Sequence, residues 1–439
     1  MRILVYVREW TKDFYLKLLR TAFENPDITV ISDFSGLGDI WSGTYLYDIQ
    51  YDERNEDYEK EKKDIIARCR FLRSISEQKA EELGRRFWNG VEEVISEGRF
   101  DFVCMPIIDC YTMDIIERIA EKHNIIHFSP VTSFVSGYSR YTKRGEFYPA
   151  ERPVTDEEIK AVLDKLLKDD YTVTFAANKK RSVWDTKKFY IRRRLVDAVY
   201  FPYRSRKEKD KWNYHYNTRS FTEGPYRNYD VKKAEKYYKK LSEVRFSAAD
   251  VYIPLHFTPE ATVDYWCDDA RWAQYNDSII EFIQKSDSNI HFIVKEHPAV
   301  YGKRNIAFYE QLGAFRNVDI VHPYDNSNML LTKVRNVLVY TGSVGVEALL
   351  RGKKVFSVTD NYYFQTSPNI AKVERLSVSD LTDRTLDTDN DAMMRKLLSG
   401  MFIGASSANR DIDASDLDAM AAEMRRIYDM ETSRGFRNL

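Results

Sequence analysis

The chain has 439 residues, too many for one compact core, so two domains are expected. Its hydrophobic content is 43%, in the globular range, and no run approaches the ~20 apolar residues that span a bilayer. The formal net charge of −1 conceals a strong local asymmetry, taken up below.

Met1-Arg-Ile-Leu-Val-Tyr-Val7 enters directly into a strand without a signal-peptide pattern, so a cytoplasmic protein is expected. Residues 12–23 read as an amphipathic helix returning to a strand over 28–31, whose carboxyl end opens into the loop from Ser32 to Trp41. A long, highly charged helical stretch follows over 52–97. Phe102-Val-Cys-Met-Pro106 is a further buried strand, then come a helix over 113–123 and a strand over 125–128. This alternation defines an N-terminal α/β domain over 1–150. Cys69, Cys104, Cys110 and Cys267 show neither a Cys-x-x-Cys motif nor metal spacing and read as reduced thiols.

Residues 151–247 read as a helical insertion, opened by Thr155 as N-cap with Glu158 three residues on. From Tyr171 to Arg245 there are 21 Lys+Arg against 8 Asp+Glu, interleaved with aromatics such as Trp184, Tyr190, Tyr200 and Trp212. Three readings stay open. The stretch is a solvated insertion packed on a domain, or a cationic platform for an anionic membrane surface or lipid-linked acceptor, or a nucleic-acid surface. No recognition motif accompanies the charge, so no nucleic-acid partner is expected.

A second α/β domain spans 248–375, with strands over 251–255, 290–294, 336–340 and 354–358. These strands are apolar along their length, as parallel strands buried on both faces are. Polar residues cluster beyond their carboxyl ends, where open α/β sheets bind ligands. His256-Phe-Thr-Pro-Glu260 follows the first strand; Glu260 suits a base, ribose or sugar hydroxyl, or a catalytic carboxylate. Lys295-Glu-His-Pro298 follows the second and places a cation and an imidazole where a leaving phosphate needs donors. The alternative for His297 is an imidazole satisfied by backbone at a turn. Thr341-Gly-Ser-Val-Gly-Val-Glu347 joins the third strand to a helix. Thr341 and Ser343 offer hydroxyls, Gly342 and Gly345 allow close backbone approach, and Glu347 suits ribose hydroxyls or helix capping. Asp325 or Ser327 reads as the N-cap of another helix. In the first domain Asp109, just beyond strand 102–106, is a candidate nucleophile or general base, or else a cap for the next helix. No Asp-x-Asp pair stands at a strand end, so no metal and no cofactor beyond the donor substrate is expected. A helical tail over 376–439 completes the chain, clearest over 392–401 and 414–430.

The order His256-Phe-Thr-Pro-Glu260, Lys295-Glu-His-Pro298, Thr341-Gly-Ser-Val-Gly-Val-Glu-Ala348 and Gly352-Lys-Lys-Val355 resembles the bacterial capsule polysaccharide biosynthesis family, which includes Kdo transferases. The resemblance covers roughly residues 250–360. It implies a GT-B-like enzyme with two Rossmann-like domains facing across a cleft. It further implies that His297 and Thr341–Ser343 contact the donor phosphate, that Glu347 contacts the nucleotide, and that the donor is CMP-linked in Kdo-type members. The family's catalytic carboxylate has no motif here, and the basic insertion departs from its pattern. The expectation is therefore a metal-independent glycosyltransferase of surface polysaccharide, using a CMP-linked or nucleoside-diphosphate-linked sugar and a glycan or lipid-linked acceptor. Its rivals are a nucleotide-sugar epimerase or hydrolase on the same fold and a non-catalytic scaffold of a polysaccharide assembly complex.

Overall fold

The computed structural model describes all residues except 50, 52, 147–150, 169–181, 208–209, 218–230, 383–388, 405–411 and 435–439. The chain divides into two compact units: unit 1 comprises residues 1–152, 199–221 and 399–439, and unit 2 comprises 153–198 and 222–398. The basic stretch is thus shared between the units, and parts of it lie outside the described residues.

Unit 1 is built on five parallel strands, β1 (Arg2–Tyr6), β2 (Asp27–Ser32), β3 (Ile40–Trp41), β4 (Phe102–Cys104) and β5 (Ile126–His127), in the order 3-2-1-4-5. Ile3, Leu4 and Val5 of β1 are fully buried because helices cover both faces of the sheet. The charged stretch over 52–97 is two helices, Glu56–Arg68 and Glu77–Gly98, with a break at Cys69–Ser76. Asn55 caps the first by accepting from the amides of Asp57 and Tyr58. Strands β6 (Ser129–Thr132) and β7 (Tyr138–Thr142) form an antiparallel sheet with the strand Met401–Ile403. That strand corrects the all-helical tail expected from sequence. The helix there is Asn390–Ser399, and three apolar residues directly after a helix carry no alternation that betrays a strand. Phe402 stacks on Tyr141 with ring centroids 4.8 Å apart. The last helix, Ala414–Arg434, lays Leu417, Met420, Ala421, Met424 and Ile427 into the same core as Phe14, Tyr15, Leu18 and Leu19 of the helix Lys12–Ala22.

Unit 2 is built on six parallel strands, β8 (Asp250–Pro254), β9 (His291–Lys295), β10 (Val318–Val321), β11 (Asn336–Val339), β12 (Lys354–Ser357) and β13 (Ile370–Lys372). Numbered within the unit their spatial order is 3-2-1-4-5-6, the order of the Rossmann sheet. Both units are therefore Rossmann-like. In each, the strand order reverses between the first strand and the fourth, and the crevice beyond that reversal is where open α/β sheets bind ligands. Thr155 caps the helix Asp156–Leu166 as expected, accepting from the Glu158 amide at 3.2 Å.

Candidate functional site

In unit 2 the reversal lies between β8 and β11, and the chain places His256 beyond one and Thr341 beyond the other. The two are joined directly. The Thr341 amide donates to His256 Nε2 at 3.2 Å, and Thr341 Oγ1 lies 3.3 Å from the same nitrogen. Because Nε2 accepts that amide, the ring hydrogen resides on Nδ1, which faces Glu260 Oε2 at 3.8 Å. Burial works to raise the Glu260 carboxyl, but His256 and Thr262 outweigh it and hold it below the usual range. A Cβ on Gly342 would stand 3.3 Å from His256 Nε2, so the turn passes close under the imidazole and a side chain there would crowd it. The space over Gly345 goes to a protein group instead. A Cβ there would lie 2.2 Å from the Tyr363 hydroxyl, which donates to the Gly342 carbonyl at 2.8 Å and ties the turn down. Ser343 precedes the helix Val344–Leu350 in αR conformation without a side-chain cap bond.

His297 Nδ1 accepts from the Ala299 amide at 3.2 Å, which is the backbone-satisfied imidazole at a turn. One nitrogen is satisfied by the turn, and the hydrogen is left on Nε2 as a donor. Burial pushes the imidazole down to about 4, keeping it neutral. Lys295 is as buried as Thr341, each 4% exposed, and its ammonium donates to the Pro323 carbonyl at 2.9 Å. Burial lowers it to about 8. Glu347 is half-buried, and burial raises its carboxyl to about 7 against the pull of Arg351. Among the described residues that carboxyl makes no hydrogen bond. The helix after strand β10 is capped by Asn326, which accepts from Asn328 and Met329, while Asp325 accepts from the Leu241 amide. Neither Asp325 nor Ser327 is the cap.

The sequence reading missed what fixes these loops. Glu296, in the middle of its motif, is fully buried and accepts from Arg304 Nε at 2.6 Å, from the Tyr309 hydroxyl at 2.6 Å and from the His297 amide at 2.6 Å. Arg304 gives a second hydrogen to Glu296, at Oε1, and its remaining three to the His256 carbonyl, Thr258 Oγ1 and Asn276 Oδ1. One guanidinium thus clamps the loops carrying His256 and His297. A glutamate wedged between Lys295 and His297 signals that a buried cation is needed, but which of the many arginines answers is not in the spacing.

In unit 1 the reversal lies between β1 and β4, and here too a polar pair spans it. Arg8, beyond β1, donates through both terminal nitrogens to the two carboxylate oxygens of Asp109, beyond β4. The helix Tyr111–Lys122 follows Cys110 with no side-chain cap bond, so Asp109 is not its cap. Burial would raise Asp109, but Arg8 outweighs it and holds the carboxylate low. A carboxylate so held stays anionic and is a poor proton acceptor. Beside it Asp33, beyond β2, accepts from the Tyr6 hydroxyl at 2.5 Å and Thr112 at 3.2 Å, and burial raises its carboxyl. His215 Nε2 stands 4.0 Å from Asp33, its ring stacked on Phe34 and edge-on to Trp10. Burial and the nearby Arg8 press that imidazole down to about 3, so it is neutral. Trp10, 45% exposed, is the outermost of these rings. Asp33 and His215 carry no sequence motif. Only their placement beside Asp109 singles them out.

Residues 179–370 match the family model described as "Capsule polysaccharide biosynthesis protein", and every unit 2 site residue above falls inside that span. The family match covers somewhat less than half of the 439 residues, and Arg8, Asp33 and Asp109 lie outside it. No curated protein matches the chain. Among solved structures it is similar to the β-Kdo 2,7 transferase of Thermosulfurimonas dismutans KpsC, at 10% identity over 97% of this chain and 100% of that one, with a TM-score of 0.37. The β-Kdo 2,4 transferase of the same KpsC is similar at 11% identity over 73% and 87%, with a TM-score of 0.33. The UDP-GlcNAc 2-epimerase of Methanocaldococcus jannaschii is similar at 14% identity over 98% and 99%, with a TM-score of 0.25. Scores this low carry no argument about activity, and the Rossmann-like assignment rests on strand order.

Proposed function

We propose that this protein is a glycosyltransferase of bacterial capsular polysaccharide biosynthesis, moving a sugar from a nucleotide-activated donor to a glycan or glycolipid acceptor. The observation that carries the reading is the coupling of His256 to the Thr341–Gly342 turn at the strand reversal of unit 2, inside the family-matched segment. A sugar nucleotide leaves as a phosphate anion, and fixed donors aimed at that charge lower the barrier. In this reading the donors are His297 Nε2–H, the Thr341 and Ser343 hydroxyls and the amides about Gly342. Glu347 receives ribose hydroxyls, and Glu260, kept ionised beside His256, orients the sugar or that imidazole. Within unit 1, Asp109, held anionic by Arg8, is the candidate catalytic carboxylate of this reading, with Asp33 and His215 as the neighbouring proton-handling groups. The chemistry needs no metal in this scheme. The helix Val183–Lys207 presents Arg192, Arg193 and Arg194 with exposed Trp184, Ile191 and Leu195, which suits an anionic membrane surface. Among the described residues no helix is long and apolar enough to cross a membrane.

A thermal-shift panel of CMP, CDP, UDP, UMP, GDP and TDP on the purified chain tests the donor side. A ligand at about 100 times its dissociation constant adds ~2.7 kcal/mol of stability. A selective shift with CMP supports a Kdo- or sialic-acid-type donor, and one with a nucleoside diphosphate supports a hexose donor. No shift with any of them sinks the transferase reading.

A further inference from the structure

Away from both strand reversals, unit 1 holds a second cluster that none of the chemistry above uses. Glu117 and Glu121 stand one turn apart on the helix Tyr111–Lys122, facing His127 of β5. His127 Nδ1–H donates to the Ile125 carbonyl at 2.8 Å, which turns Nε2 toward the two carboxylates. That nitrogen lies 3.4 Å from Glu117 Oε1 and 3.1 Å from Glu121 Oε2. The residue is 2% exposed, and Nε2 is buried without a well-formed hydrogen bond. A neutral imidazole held this way sets a lone pair against two carboxylates, an arrangement that a positive charge between them relieves. That charge is either a proton or a metal ion.

The geometry accommodates an ion. One ligand atom from each of the three residues falls within 4.8 Å of the others. Zinc bonds of ~2.1 Å to N and O make a tetrahedron whose edges are about 3.4 Å, close to the two separations seen here. A metal-bound histidine normally donates its other N–H to a backbone carbonyl or carboxylate, as His127 does. Of the two oxygens that face His127, Glu117 Oε1 is left clear by the neighbouring arginine, whereas Glu121 Oε2 is shared with a lysine. Arg144 donates to the other oxygen of Glu117, Oε2, at 2.6 Å and also pairs with Asp114, which Arg118 holds as well. Lys143 is the competitor, 3.2 Å from the same Glu121 oxygen that faces His127.

We propose that Glu117, Glu121 and His127 form a binding site for one divalent transition-metal ion of the zinc type, with water completing its coordination from the exposed side of Glu121. Titration of the untagged, metal-stripped full chain with Zn²⁺ by calorimetry, and with Co²⁺ by visible absorption, tests it. The expected result is one ion per chain, a tetrahedral Co²⁺ spectrum and a higher melting temperature. Glu121→Gln, at a side chain 62% exposed and so safe for folding, should weaken binding at least about tenfold. Lys143→Met should tighten it, which an adventitious surface site elsewhere would not do. Absence of saturable binding, or equal affinity in the wild type, Glu121→Gln and His127→Gln, overturns the proposal and leaves the imidazolium as the bridging charge.

Discussion

A histidine whose Nδ1 accepts a backbone amide is a fixed donor at Nε2, and this defines what His297 can lose. Removing one oriented donor to a developing oxyanion costs about 10²- to 10³-fold in turnover. His297→Ala should therefore lower kcat by that order with the melting temperature nearly unchanged; unaltered kinetics would remove the residue from the site. Glu347 supplies a second, independent reading through pH. Its folded carboxyl titrates near 7, above the usual 4.5, so between those values the folded state holds more proton than the unfolded one. The stability this lends is complete below about pH 4.5 and is lost as pH rises through about 7, at most about 3 kcal/mol at ~1.4 kcal/mol per unit. Glu347→Gln should flatten that slope and melt higher than the wild type at pH 8. Denaturant melts at pH 5 and pH 8 decide it, since equal slopes would mean the carboxyl is not desolvated. At this scale the sequence was partly legible. The strand-end placement of Thr341, Gly342, His256 and His297 was legible from the apolar runs that precede them, whereas the bond from Thr341 to His256 was not. Lys295 was misleading, since a lysine tail reaches either a ligand or a nearby carbonyl, and spacing does not say which.

Between residues and domains stand the elements that hold the strand-end loops. The Glu296–Arg304 pair is wholly out of water and every remaining hydrogen is used, so breaking it leaves an uncompensated charge. Arg304→Met should cost about 3–5 kcal/mol in chemical denaturation, and nucleotide binding should fall because the His256 and His297 loops lose their common anchor. A cost below 1 kcal/mol would show the pair to be dispensable. The strands themselves were readable, being short apolar runs bounded by turn residues, whereas the short strand Met401–Ile403 was not. Its partner β7 lies some 260 residues earlier, and such pairing leaves no local trace. The helix Val183–Lys207 belongs to the same scale. Trp184 is 64% exposed and the arginines at 192–194 lie among apolar neighbours, so replacing all three with Gln should reduce sedimentation with phosphatidylglycerol vesicles, most at low salt. Equal binding by both forms would return the helix to ordinary surface.

At the scale of the molecule, the two sheets share one logic: each closes its strand reversal with a direct polar bond, Arg8 to Asp109 in unit 1 and His256 to Thr341 in unit 2. Strand–helix alternation made the Rossmann-like class legible, because buried parallel strands cannot be disguised. The assignment of segments to units was not legible, for it depends on which apolar face meets which. Unit 1 is assembled from three separate stretches and gathers its core from the first and the last, with Met420 and Met424 of the last helix in one cluster with Leu18 of the first. During synthesis this has a consequence for order. The nascent chain carries the bare apolar flank of the helix Lys12–Ala22 through translation of everything between, while the second sheet can close as soon as its own strands emerge. The unit that begins first is the one that finishes last.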